Sequence, residues 1–306
     1  MMVCALILAL GAWGSVDSPN VWLAAPKGNL TRAGRDGDSI QVFDVYPKHG
    51  SLVFRGRQIA FASDAVLTWI TAANGTAQAA ANGKQVIGWR DTEPLLWDGI
   101  SMVTSSGLTV SAGLRSGDTP VFATIFGNSG LLVSQTSSGS LRIVLSGPQP
   151  LAADFGAWRL VGARMITASS GYLVLEGAGW NVVRIAKGRA DVAAIDSDHL
   201  LGMAIASDGK AYITRHTEVD GVESTDIDEL MPSGPPEPVC RLNGSCEVVD
   251  LDRAAKCVYA VRTRGKASAY LRIGYLREDE TVLREPVQFV TPAFGGAGFV
   301  AEANPG

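Results

Sequence analysis

An all-β fold, a β-propeller of six or seven four-stranded blades, is what the sequence predicts, on three observations. Short runs rich in β-branched and apolar residues recur along the chain, at 40–43, 52–54, 59–62, 66–71, 86–89, 121–126, 159–161, 182–185, 248–251 and 269–276. Small-residue turns separate them. Helical signals are nearly absent. Many short strands repeating on the order of every 30 to 45 residues is the rhythm of propeller blades. β-Sandwich domains are the alternative.

The turns carry their own chemistry. In LLGMAIASDGKAYITRH (200–216) the apolar run stops at Ser207-Asp208-Gly209 and resumes at Ala211-Tyr212-Ile213. Asp tolerates left-handed geometry and Gly takes positive φ without strain, so the unit reads as a hairpin. Related Ser-Gly turns precede Leu108, Leu131, Leu141 and Tyr172, and Gly107, Gly139 and Gly171 fall 32 residues apart. The Ala-rich stretch TAANGTAQAAANGK (71–84) is broken by Gly75, Gly83 and their asparagines. It reads as a loop or at most one helical turn.

Composition sets the outer limits. The 306 residues are 46% hydrophobic and 18% charged, enough for a large core and against disorder. A net charge of −4 gives no electrostatic reason to expect nucleic acid or an anionic membrane as partner. The apolar run 3–12 is too short to span a bilayer and matches the core of a signal peptide, although no Lys or Arg precedes it. The expected organisation is a signal peptide over 1–14, one propeller domain over 21–300 and a tail over 301–306. Such a protein would be secreted, periplasmic or held at the cell surface.

Two segments refine the fold. GMAIASDGKAYITRH, followed by a polar loop and Asp226-Ile227-Asp228-Glu229-Leu230, resembles one blade of the NHL, lactonase and YVTN propellers, and VVDLDRAAKCVYAVRT is similar. The resemblance covers about two blades and implies a fold rather than an activity. For a lactonase-type enzyme it would imply one metal at the mouth of the central channel, held by carboxylates and amides from different blades. No residues of this chain match that set.

Motifs for chemistry are sparse. His49, His199 and His216 lie far apart, without metal-ligand spacing. No GxSxG, P-loop or dinucleotide fingerprint is present. Two acidic clusters, Asp196-Ser197-Asp198 and the run from Glu218 to Glu229, offer oxygens for calcium but lack the DxDxDG pattern. They read as solvated loop charge. The basic stretch 256–277 places Arg262, Arg264 and Lys266 at period two, the pattern of a strand's solvent face. In CRLNGSC a tight Asn243-Gly244 turn with a cysteine on each arm makes Cys240 and Cys246 the disulfide candidates, with Cys246–Cys257 as competitor. Asn29, Asn74 and Asn243 begin glycosylation sequons that matter only in a eukaryotic secretory host.

Trp69, Trp89, Trp97, Trp158 and Trp180 stand at or beside predicted strand ends, positions that pack between blades. The densest mix of aromatic and charged groups is IGWRDTEPLLWDG, so Trp89, Arg90, Asp91, Trp97 and Asp98 are the candidate ligand-binding residues. The favoured function is an exported, non-catalytic propeller that binds a protein, peptide or glycan through its loop face, with no cofactor required and calcium as the one candidate. The alternatives are a metal-dependent hydrolase or lyase, or a structural subunit of a surface assembly docking through a blade edge or MPSGPPEPV (231–239).

Overall fold

The computed structural model describes residues 20–281 except 24–29, 35–39, 44–52, 56–57, 64, 72–74, 207–208, 265–266 and 275–278. The signal-peptide run, His49, the sequons at Asn29 and Asn74, Lys266, Arg277 and everything from 282 onward lie outside the described residues.

Among the described residues the chain runs through seven consecutive antiparallel units and no helix. The first has three strands, β1 (Asn20–Leu23), β2 (Leu30–Gly34) and β3 (Ile40–Phe43). The second comprises β4 (Val53–Arg55), β5 (Gln58–Ala62), β6 (Val66–Ile70) and β7 (Thr76–Ala80). The third is β8 (Gln85–Arg90), β9 (Glu93–Trp97), β10 (Met102–Thr104) and β11 (Thr109–Val110). The fourth is β12 (Thr119–Phe126), β13 (Ser129–Gln135), β14 (Leu141–Ser146) and β15 (Leu151–Phe155). The fifth is β16 (Arg159–Thr167), β17 (Ser170–Glu176), β18 (Trp180–Ala186) and β19 (Arg189–Asp196). The sixth is β20 (Leu200–Ile205), β21 (Ala211–Val219), β22 (Val222–Glu229) and β23 (Glu237–Asn243). The seventh is β24 (Cys246–Asp252), β25 (Cys257–Arg264), β26 (Ala267–Gly274) and β27 (Asp279–Thr281).

Side-chain alternation explains why these runs become blades. In β17, Leu173 and Leu175 join a cluster with Leu131, Val133 and Ile143 of the fourth unit. Val174, between them, joins Leu201, Met203 and Ile213 of the sixth. The same division puts Tyr212 in a core shared with Val258 and Ala260 of the seventh unit, while its neighbour Ile213 faces the fifth. Each sheet from the third to the sixth is thus apolar on both faces and packs between two others, as successive propeller blades do. Each fully buried Leu, Val or Ile contributes about 1.5–3 kcal/mol. The first strands of the units run side by side: β4 beside β8, β16 beside β20 and β20 beside β24. They line the axis of the fold.

At one junction the first strands do more than pack. β8 pairs directly with β12, parallel, matching Gly88 to Ala123, Trp89 to Thr124 and Arg90 to Ile125, so the third and fourth units form a single eight-stranded sheet. Gly88 permits this. It sits at a bulge opposite β9 with φ +154°, and a Cβ there would lie 1.6 Å from the Ala123 carbonyl oxygen.

Several sequence expectations are corrected. The stretch 71–84 contains the strand β7, with alternating exposed and half-buried residues against β6. Tertiary pairing overrides the weak β-propensity of alanine there. Asn82 and Gly83 (φ +51° and +73°) form the turn into the next unit. The Ser-Gly turns occupy different corners of successive units: Gly107 lies between β10 and β11, Gly139 between β13 and β14, Gly209 between β20 and β21, and Gly171 inside β17. CRLNGSC is not a hairpin. β23 pairs with β22, and β24 with β25, so the two cysteines stand on strands of different sheets. No disulfide joins Cys240, Cys246 and Cys257. Cys246 lies opposite Arg262 and Cys257 opposite Asp252, the two ends of one ladder. At about 3.3 Å per residue that separation is far beyond disulfide reach.

Gly88→Ala should cost about 3 kcal/mol or more, since backbone must move to admit the methyl. Gly107→Ala, whose Cβ meets nothing within 4 Å, should cost only the roughly 1 kcal/mol of a positive φ. Urea unfolding midpoints of the two variants check the contrast.

Candidate functional site

Because every unit is an up-and-down meander, its corners fall at two ends of the axis. The first strands begin at one end and finish at the other. The candidate residues of the third unit divide between these ends. Arg90 closes β8 and Asp91 makes the turn into β9, whereas Trp97 ends β9 and Asp98 makes the turn at the opposite end.

At the finishing end, Asp91 takes φ +50° and is tied to the fourth unit from both its backbone and its side chain. Its amide donates to the Ile125 carbonyl (2.8 Å), and its Oδ1 accepts from the Gly127 amide (2.9 Å). Arg90 Nε lies 3.8 Å from Asp91 Oδ2. The β8–β12 ladder therefore sets an arginine and a carboxylate next to Phe126, the last residue of β12, which is 48% exposed. Ile166, near the end of β16, is 41% exposed at the same end. An exposed aromatic ring and an Arg–Asp pair therefore sit side by side where β8 and β12 terminate. Phe126 and Ile166 carry no motif and were not legible as site residues; the signal available was only an apolar residue just before a turn.

The other candidates have structural duties. Trp89 is buried between the second and third units, and its Nε1–H donates to the Val53 carbonyl at 3.4 Å. Trp97 is half-buried against the core between the third and fourth units. Asp98 caps its own turn by accepting from the amides of Ser101 (2.7 Å) and Ile100 (2.9 Å), which hold its carboxyl below the usual range. Trp69, Trp158 and Trp180 also pack against inter-unit cores, as their positions predict.

The acidic clusters are solvated only in part: Asp198, Glu218, Asp220 and Glu223 are exposed, whereas Asp196, Asp228 and Glu229 are drawn into contacts between or within the units. Asp196, at the end of β19, accepts from the amides of Asp198 (3.0 Å) and His199 (2.9 Å) and faces His199 Nδ1 at 3.1 Å. Burial alone would raise its pKa, but these bonds and the imidazole outweigh it and lower it. Arg215 of the sixth unit bridges Asp196 (3.1 Å) and the buried Asp228. Glu229, also buried, receives Lys210 at 2.8 Å and Arg253 of the seventh unit. The Lys210 bond is the main cause of its lowered pKa. These charges lie where units meet, and they pin the units in register. Among the described residues no group of three or more His, Cys, Asp or Glu side chains could hold a metal ion.

Arg262 is likewise buried rather than on a solvent face, with its Nε 3.4 Å from Cys246 Sγ. Burial and the nearby Asp226 push the Cys240 thiol up to about 11, far from a reactive thiolate. His216 stands within β21, its Nδ1 3.4 Å from both the Thr225 and Ser245 hydroxyls. Burial pushes its pKa down, partly opposed by Glu223.

The fold is that of a β-propeller. A solved structure of a putative 6-phosphogluconolactonase from Bacteroides uniformis superposes with a TM-score of 0.54 at 14% identity, covering 93% of this chain and 100% of its own. A functionally unknown protein from Desulfotomaculum acetoxidans gives 0.54 at 11% identity, covering 94% and 99%. A structure from a study of two prolyl endopeptidases gives 0.52 at 12% identity, covering 86% of this chain and 49% of its own. No protein-family model and no curated protein matches the sequence. The likeness to lactonase-type propellers is one of fold.

His216 yields a prediction with a definite sign. Its folded pKa lies below the ordinary imidazole value, so the unfolded chain takes up the proton first. Stability is complete above about pH 6.5 and falls as pH drops through it, by at most about 1.4 kcal/mol per pH unit. His216→Gln should flatten that slope, measured by urea unfolding between pH 7.5 and 5.

Proposed function

We propose that this protein is an exported, non-catalytic β-propeller that recognises a protein or peptide partner at the end of the axis where the first strands finish. The observation that carries the reading is the exposed Phe126 at the end of β12, which the β8–β12 ladder sets beside Arg90 and Asp91. Aromatic and arginine side chains fixed before binding are the composition of interface hot spots, because little side-chain freedom is lost on association. Export rests on the signal-like run 3–12.

A peptide-display selection against the purified protein, followed by titration of the selected peptide, tests the site. Phe126→Ala and Arg90→Ala should each weaken binding at least tenfold, corresponding to about 1.4 kcal/mol, without changing the melting temperature. Ile100→Ala, an exposed residue at the opposite end, should leave binding unchanged. Loss in Ile100→Ala alone would move the site to the other end.

The second reading is a metal-dependent hydrolase, favoured by His199. Its Nδ1 is held by Asp196, an arrangement that presents the other ring nitrogen as a base or ligand. Elemental analysis after exhaustive dialysis tests it, and near-stoichiometric zinc or calcium would put this reading first.

A further inference from the structure

Each four-stranded unit ends in an outer strand whose outward backbone groups have no partner in its own sheet, the position where sheets recruit further strands. Five of these six strands are blunted. β11 has only two residues, and β15 follows Pro150 and carries Asp154, which is held by Arg142. β19 carries Arg189 and Asp191 and contains a bulge opposite β18. β23 has Glu237, Pro238 and Arg241 with a bulge opposite β22, and β27 opens with Asp279 and Glu280. β7 has none of these devices. It reads Thr76-Ala77-Gln78-Ala79-Ala80, without charge or proline, in unbroken register with β6.

The geometry of that edge follows from its ends. The Ala81 amide donates to the Ala65 carbonyl (2.9 Å), and the Gly75 carbonyl accepts from the Thr71 amide (2.8 Å). Residues 75 and 81 therefore turn their backbone groups toward β6, as do 77 and 79, and those of Thr76, Gln78 and Ala80 turn outward. These three are symmetric about Gln78. Antiparallel pairing of two such edges sets Gln78 against Gln78 and Thr76 against Ala80 on either side, with about six N–H···O bonds. No like charges meet, and no large side chain stands in the way. The Gln78 amide already reaches back to Thr68 Oγ1 at 3.5 Å.

We propose that β7 is the seam of a two-fold homodimer, in which the second units of two copies join as one continuous eight-stranded sheet. The edge is uncharged and self-complementary, as an isologous contact requires. It stands apart from the Arg90–Asp91 end and does not depend on what binds there.

Sedimentation velocity on the full chain tests it, from about 5 to about 500 μM, the range in which small interfaces associate. The wild-type protein should show a monomer–dimer equilibrium. Gln78→Pro deletes the outward N–H and the long side-chain bond to Thr68, and leaves the backbone bonds to β6 in place. Gln78→Lys sets two ammonium groups opposite each other across the two-fold. Both should weaken dimerisation at least tenfold at an unchanged melting temperature; if the proline variant melts early, the lysine variant decides. A wild-type protein that is monomeric throughout, or a dimer indifferent to both substitutions, overturns the proposal. So does a monomer that recruits only foreign extended peptides at β7.

Discussion

Every sheet from the third to the sixth has to bury two faces, and the rest of the structure is arranged around that requirement. A strand such as β17 cannot offer one side to water, because Leu173 and Leu175 belong to one core and Val174 to the next. Neighbouring residues in the chain thereby stabilise different interfaces. No unit can shift without exposing apolar surface on both sides of it, so stability propagates from neighbour to neighbour, as in other repeat architectures. Charged side chains tie adjacent units to one another through the Asp196–Arg215–Asp228 and Lys210–Glu229–Arg253 contacts. Such part-buried pairs gain little net energy once desolvation is counted. Their geometry fixes how far one sheet can slide on the next.

That two-sided burial also explains which parts of the fold were legible in the sequence. Strands in the middle of a unit meet apolar surface on both sides and show as near-continuous runs, as in LLVS and YLVL. β7 lies at the outer edge, where small residues suffice, and its Ala-Gln-Ala pattern carries no signal of its own. Arg262 was misplaced because period-two alternation reports a change of face, and both faces of β25 are covered. Cys240 and Cys246 looked like arms of a hairpin because a tight turn does separate them. The same Asn-Gly chemistry serves to pass the chain from one sheet to the next.

The candidate site was legible by half. The density of charge and aromatic groups in IGWRDTEPLLWDG drew attention to Arg90 and Asp91, which the structure does place at an axial end. It also drew in Trp97 and Asp98. A five-residue strand rising about 3.3 Å per residue carries those two to the other end. Phe126 could not be found from sequence, since its nearness to Asp91 depends on a parallel pairing of residues 35 apart. The only trace of that pairing is a glycine, Gly88, in an otherwise bulky run.

The shared sheet of β8 and β12 makes the propeller mechanically uneven. Backbone hydrogen bonds resist shear, whereas apolar faces held by dispersion slide over small distances. The third and fourth units therefore form one stiff plate, whereas the seams from the fourth unit to the seventh rest on apolar faces and, at the last two, on the Asp196–Arg215 and Glu229–Arg253 contacts that limit sliding. Arg90, Asp91 and Phe126 all belong to that plate, so their mutual spacing does not depend on how the other units pack.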